Sequence, residues 1–117
     1  MTRRLTEKQL QNSVLEMAKR LGWRTAHFGN TVKIVKRGAA YKTIPDKAAA
    51  GFPDLVMVRP PRIIFVELKD HSGQLSDLQT EWIQDLMRCA KEGVEEVEAY
   101  IWRPNDWESG IIERRLR

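Results

Sequence analysis

Cysteine is almost missing from this 117-residue chain. The single one, Cys89, excludes an internal disulfide and a zinc site built on a cysteine cluster. A lone thiol suits a reducing, cytosolic setting. No apolar run reaches the length that spans a bilayer, so no membrane role is expected, and the N-terminus MTRRLTEKQ lacks the apolar stretch of a secretory signal. Internal repeats and low-complexity segments are absent as well. Acidic residues are in deficit: 16 Asp and Glu stand against 20 Lys and Arg, for a net charge of +4 and a pI of about 9.5. That balance permits an anionic partner, nucleic acid or lipid, without choosing between them. What remains, 42% hydrophobic and 31% charged, is the composition of one globular domain with a real core.

The periodicities lay out the elements. Leu10, Val14, Met17 and Leu21 recur at helical spacing. With Thr6 as N-cap, Gln9 three residues on and Gly22 as terminator, a helix over 7–21 is expected. WRTAHF at 23–28 predicts a short strand. The stretch 29–50 is less regular: TVKIVKR suits a strand, and GAAYKTIP a second strand or a loop. It carries Lys33, Lys36, Arg37, Lys42 and Lys47 against only Asp46, so its charge equals that of the whole chain. Two apolar runs, Leu55–Val58 and Ile63–Val66, flank Arg-Pro-Pro-Arg and predict a buried hairpin over 54–69. A second helix, capped by Ser76 and closed by Gly93, carries Leu78, Trp82, Leu86 and Ala90 as its apolar stripe, with Cys89 as a small core residue. A last strand is expected at 94–102, ended by Arg103-Pro104-Asn105. In the remaining tail Trp107, Ile111 and Leu116 are the candidates to pack back. The order predicts an α/β domain, a mixed sheet flanked by helices.

The hairpin poses a chemical problem. Side chains alternate faces along a strand, so Glu67 and Lys69 share one side. A hairpin folded symmetrically about Pro60–Pro61 then sets Asp54 opposite Glu67, with Cβ atoms roughly 5 Å apart. Facing carboxylates repel. A divalent cation such as Mg²⁺, which takes one or two carboxylates plus waters and phosphate, relieves that repulsion. Such an ion polarises a phosphodiester and activates water, which the adjacent lysine can position or deprotonate. The competing reading is that strand-end acids are simply solvated and that an Asp after Pro is ordinary turn chemistry. The register, the apolar strands and the basic stretch upstream together favour a metal-dependent phosphodiesterase.

Pro53-Asp54 followed by Glu67-Leu68-Lys69 resembles the signature of the PD-(D/E)xK nucleases. Gly51-Phe52-Pro53-Asp54 matches a G-x-P-D form, Ser76-Asp77-Leu78-Gln79 an S-x-x-Q form, and the first helix opens with Glu7 and Gln11. This ordered set is similar to the VRR-NUC family, the virus-type replication and repair nucleases, in its compact stand-alone form. The resemblance spans residues 6–102, within a single domain of 1–117 that ends in an extension over 103–117. It implies a restriction-endonuclease-like core, a central mixed β-sheet flanked by helices. It further implies Mg²⁺- or Mn²⁺-dependent cleavage of DNA, branched or junction DNA in particular. Asp54, Glu67 and the backbone carbonyl of Leu68 would be metal ligands, Lys69 the catalytic lysine, Glu7 the acid of the first helix and Gln79 a support of the site. It also implies a homodimer working on two strands, and a cytoplasmic, phage-borne origin.

Each role has a plainer rival. Glu7 suits the first turn of any helix, Gln79 suits a capping box with Ser76, and Lys69 suits a solvated strand end. His27 and His71 are not assigned to catalysis. Lys33, Lys36, Arg37, Lys42 and Lys47 suit either a solvated loop or a surface that tracks phosphates. No base-reading module is visible. The rival functions are a non-catalytic DNA-binding module of the same fold, a restriction-type or RNA-directed nuclease, and, most remotely, a structural protein.

Overall fold

The computed structural model describes residues 5–29, 32–45, 47–92 and 96–117; the side chains of residues 32, 33, 45 and 47 are not among those described. Helix α1, Glu7–Arg20, begins with the expected capping box. Gln9 N–H donates to Thr6 Oγ1 at 3.1 Å, and Thr6 N–H donates to Gln9 Oε1 at 2.9 Å. Gly22, at φ +86°, turns the chain out of the helix. Strands β1 (Arg24–His27), β2 (Val32–Arg37) and β3 (Ala40–Pro45) follow, then β4 (Leu55–Arg59), β5 (Arg62–Leu68), helix α2 (Asp77–Lys91), β6 (Val97–Trp102), α3 (Pro104–Glu108) and α4 (Ile111–Leu116). The main sheet runs β1-β4-β5-β6, antiparallel except for the parallel β5–β6 pair, while β2 and β3 form a separate antiparallel pair. This is the α/β, mixed-sheet architecture that the order of elements predicts.

Alternation divides the sheet into two faces. Leu55, Met57, Ile64, Val66 and Leu68 bury one face under Leu10, Val14 and Ala18 of α1 and Ile112 and Leu116 of α4. On the other, α2 lies over β5 and β6. An aromatic cluster sits there too: Phe52 meets Phe28, Phe65 and Trp82 edge-on, with centroids 5.4, 6.3 and 5.1 Å away. Among the described residues no helix is long and apolar enough to cross a membrane.

At the turn between β4 and β5 two arginines are directly paired, Arg59 with Arg62. Their repulsion is offset because both guanidinium groups lie over the Trp23 ring, 4.5 and 4.9 Å from its centroid. Arg59 also donates to the carbonyls of Leu21 and Leu116, and Arg62 to Glu98 and the Arg115 carbonyl. Trp23 Nε1–H donates to the Leu116 carbonyl at 2.8 Å. The C-terminal segment is thereby tied to the sheet.

Several expectations change. In α2 the most buried residue is Ile83, whereas Leu78, placed on the apolar stripe, is 50% exposed. The first turn of α2 lies against the 51–54 loop rather than over the sheet. Cys89 is exposed and not a core residue, because at 100° per residue it falls beside the Ile83–Leu86–Ala90 face. Ile112, not Ile111, enters the core, and Trp107 packs partly buried against it. GAAYKTIP forms strand β3, and the last strand begins at Val97. Gly93 and Asp46 lie outside the described residues.

Candidate active site

The observed hairpin register pairs Leu55 with Val66 and Arg59 with Arg62, so the symmetric fold expected about Pro60–Pro61 is present. One step beyond Leu55–Val66, at the end opposite the arginine turn, Asp54 faces Glu67. Asp54 is held twice. Its carbonyl accepts from Phe28 N–H at 2.7 Å, and its Oδ2 accepts from Leu68 N–H at 2.8 Å. Glu67 is only 2% exposed. Gln79 Nε2 donates to its Oε1 at 3.0 Å.

Gln79 caps α2 and also bonds Glu67. Its Oε1 accepts from Ser76 N–H at 2.9 Å, and its own N–H donates to Ser76 Oγ at 3.1 Å. The cap fixes the carbonyl end of the amide, which leaves the NH₂ end aimed at Glu67. Gly51 makes this approach possible. At φ +84°, a Cβ on it would stand 2.5 Å from the Leu78 carbonyl carbon, so only glycine lets the loop pass against the first turn of α2.

The electrostatics match the crowding. Burial first, then the charge and hydrogen bond of Asp54, push the Glu67 carboxyl from its ordinary 4.5 up to about 8, against the pull of Lys69. Glu7, at the start of α1, is also raised: burial leads, then Asp54, with Lys69 opposing and Asp70 adding. Glu7, Asp54, Glu67 and Lys69 thus lie near enough to feel one another's charge. The Lys69 N–H donates to the Trp102 carbonyl at 3.1 Å, which fixes where its side chain starts.

Sequence reasoning missed Arg103. Its Nη1 donates to the carbonyls of Asp70 and Gly73, at 2.8 and 2.7 Å, and pins the turn that follows Lys69. The Asp70 carboxylate accepts from the N–H groups of Ser72 and Gly73, which hold it below the usual range. An arginine at a strand–proline junction gives no signal in a sequence, because its partners are backbone carbonyls 30 and 33 positions away. The expected basic residues are elsewhere. Lys36, Arg37 and Lys42 are exposed on the β2–β3 pair, and the side chains of Lys33 and Lys47 lie outside those described. His27 and His71 are both exposed.

A hard divalent cation fits this donor set. The converging groups are carboxylate oxygens, and burial together with the Asp54 charge favours a proton on Glu67 that a cation would replace. Among the described residues no three or more His, Cys, Asp or Glu form a closed metal cage. Two protein carboxylates with waters and phosphate completing the shell are what Mg²⁺ takes, whereas a structural zinc site would need more ligands.

The family model described as VRR-NUC domain matches residues 4–101. The chain belongs to the VRR-NUC family. It is thus a nuclease domain of the PD-(D/E)xK type, and nucleases of this fold usually need a divalent metal. Comparison with curated proteins gives no match. The matched span includes Pro53-Asp54 and Glu67-Leu68-Lys69, which the structure brings to one end of β4 and β5.

Proposed function

We propose that this VRR-NUC domain is a Mg²⁺- or Mn²⁺-dependent endonuclease that hydrolyses DNA phosphodiesters and prefers branched DNA. The observation that carries the reading is the pairing of Asp54 with the buried Glu67, whose carboxyl is raised to about 8 and held by Gln79 beside Lys69. Two acids crowded at this cost to ionisation make sense where a cation joins them.

Asp54 and Glu67 would hold the ion, with the Leu68 carbonyl as a third oxygen. Bound there, the ion would polarise the phosphate and supply a nucleophilic water near neutral pH. Leu68 N–H and Gln79 Nε2–H each occupy one carboxylate oxygen and fix its orientation. The Lys69 ammonium aligns the attacking water and offsets charge developing on the phosphate. Glu7 adds an acid on the open side, able to accept hydrogen bonds from waters around the phosphate. Lys36, Arg37 and Lys42, with Lys33 and Lys47, contact the DNA and supply the positive charge that attracts it. The whole chain acts as one domain, the 103–117 extension included. Branch preference follows from a homodimer that sets two such sites on two strands.

The test offers labelled four-way junction, splayed, duplex and single-stranded DNA to the protein with Mg²⁺, Mn²⁺ or EDTA, alongside Lys69→Ala. Cutting that requires metal, disappears in Lys69→Ala and is fastest on the junction is expected. Tight binding without cutting under any metal would leave a DNA-binding module. Preference for plain duplex would point to a restriction-type enzyme.

A further inference from the structure

The β2–β3 pair stands apart from the main sheet. The radius of gyration, 15.9 Å, exceeds the roughly 13.5 Å of a compact domain this long, as a projecting arm requires. Before and after the arm in the chain, Phe28 and Phe52 meet edge-on at 5.4 Å, and Phe28 N–H is bonded to the Asp54 carbonyl. The arm therefore springs from the backbone of a candidate metal ligand.

One face of this arm is unusual. The register pairs Ile34 with Thr43 and Lys36 with Tyr41, so these four share a side. Ile34 and Tyr41 are each 71% exposed. A two-stranded ribbon is marginal in water, and apolar exposure of this kind marks a binding surface. The reverse face keeps Val35 and Ile44 half-buried and carries Arg37 and Lys42.

We propose that the β2–β3 arm enters the major groove of B-form DNA, with Ile34, Lys36, Tyr41 and Thr43 toward the base edges and Arg37 and Lys42 toward the phosphates. This rests on the reading of the domain as a DNA nuclease and names how the duplex is held. Six-residue strands give a ribbon about 20 Å long, and the major groove, about 12 Å wide, admits a two-stranded ribbon. The deep, narrow major groove of A-form RNA does not. The positive arm suits a polyanion, and it repels the equally positive arm of a second copy. The groove face carries no Asn, Gln, Asp or Glu among its described residues, so its polar contacts come from Lys36 and Thr43, beside the apolar contacts of Ile34 and Tyr41. The arm grips duplex within about one helical turn of the scissile phosphate.

The test uses the full chain in EDTA, so that it stands apart from cleavage. Dimethyl sulfate reactivity at guanine N7 and binding against salt are measured on a 30-base-pair DNA duplex. The proteins are wild type, Ile34→Ala/Tyr41→Ala and Lys36→Ala/Arg37→Ala/Lys42→Ala, all altered at exposed positions and checked by melting temperature. Wild type should protect N7 groups within one turn. The apolar double variant should lose that protection and bind about tenfold more weakly at unchanged salt slope. The cationic variant should show a slope shallower by two to three. N7 groups that stay reactive in the complex, a double variant that protects like wild type, equal competition by duplex RNA, or no duplex binding at all would each overturn the proposal. A protein that cuts under no metal yet protects N7 would sink the nuclease reading and leave the arm intact.

Discussion

The side-chain amide of Gln79 joins the N-terminus of α2 to the buried carboxylate of Glu67, donating to it at 3.0 Å while its oxygen accepts from Ser76 N–H at 2.9 Å. One group thus terminates a helix and orients an acid. Gln79→Glu keeps the cap acceptor but removes the donor and adds a third negative charge. It should melt within a few degrees of wild type while losing ten- to hundredfold in cleavage. Gln79→Ala should lose that activity and, in addition, about 1 kcal/mol of stability. Thermal melts run beside cleavage rates separate the two roles.

The raised Glu67 carboxyl makes stability depend on pH in the direction opposite to most acids. Its folded value, about 8, lies above the ordinary 4.5. Its contribution is complete below 4.5 and is lost as pH rises through 8. Metal-free protein should therefore melt lower at pH 9 than at pH 5.5, and Glu67→Gln should flatten that slope. Because cation binding displaces the proton, the melting shift produced by Mg²⁺ should grow over the same interval. A shift that does not change with pH would contradict the picture.

Gly51 carries two constraints at once, a φ of +84° and a clash at 2.5 Å with the Leu78 backbone. Gly51→Ala should cost roughly 3 kcal/mol and move Asp54 relative to Gln79. Urea titration checks the first effect. Cleavage measured well below the melting temperature checks the second.

Arg103 pins the turn that follows Lys69. Arg103→Ala frees the carbonyls of Asp70 and Gly73 and should cost about 2 kcal/mol. As a positioning residue it should lower kcat with little change in KM, whereas Arg103→Lys, able to satisfy one carbonyl, should recover part of the rate.

The extension past the family match is part of the core. Ile112 and Leu116 are fully buried, and the Leu116 carbonyl serves both Trp23 and Arg59. A chain ended after Trp102 would lose about 2 kcal/mol for each of the two side chains and uncover Trp23 and Trp102. It should show no cooperative melt by circular dichroism.

What the sequence made legible was local. A two-residue turn fixes a hairpin register, so Asp54 opposite Glu67 followed from counting. Ser76 and Gln79 followed from a cap three residues long. The parts that escaped depend on docking between distant elements. Leu78 looks like core by period, but its turn faces the Gly51 loop. Ile111 and Ile112 are adjacent, and only the seat of α4 on the sheet decides which one is buried. Arg103 binds backbone carbonyls, which leave no trace in residue types. The arm showed as charge and alternation, but nothing in its own sequence states that it pairs with itself alone.

The Phe28–Phe52 clasp has an evolutionary consequence. The two rings close the ends of a segment whose strands pair with each other in a sheet of their own, and lengthening a closed loop costs little. Insertions, deletions or replacement confined to β2 and β3 spare Gly51 and Phe52, and with them the Asp54–Glu67 pair. Strands β2 and β3 can therefore vary while the residues that bring Asp54 to Glu67 stay fixed.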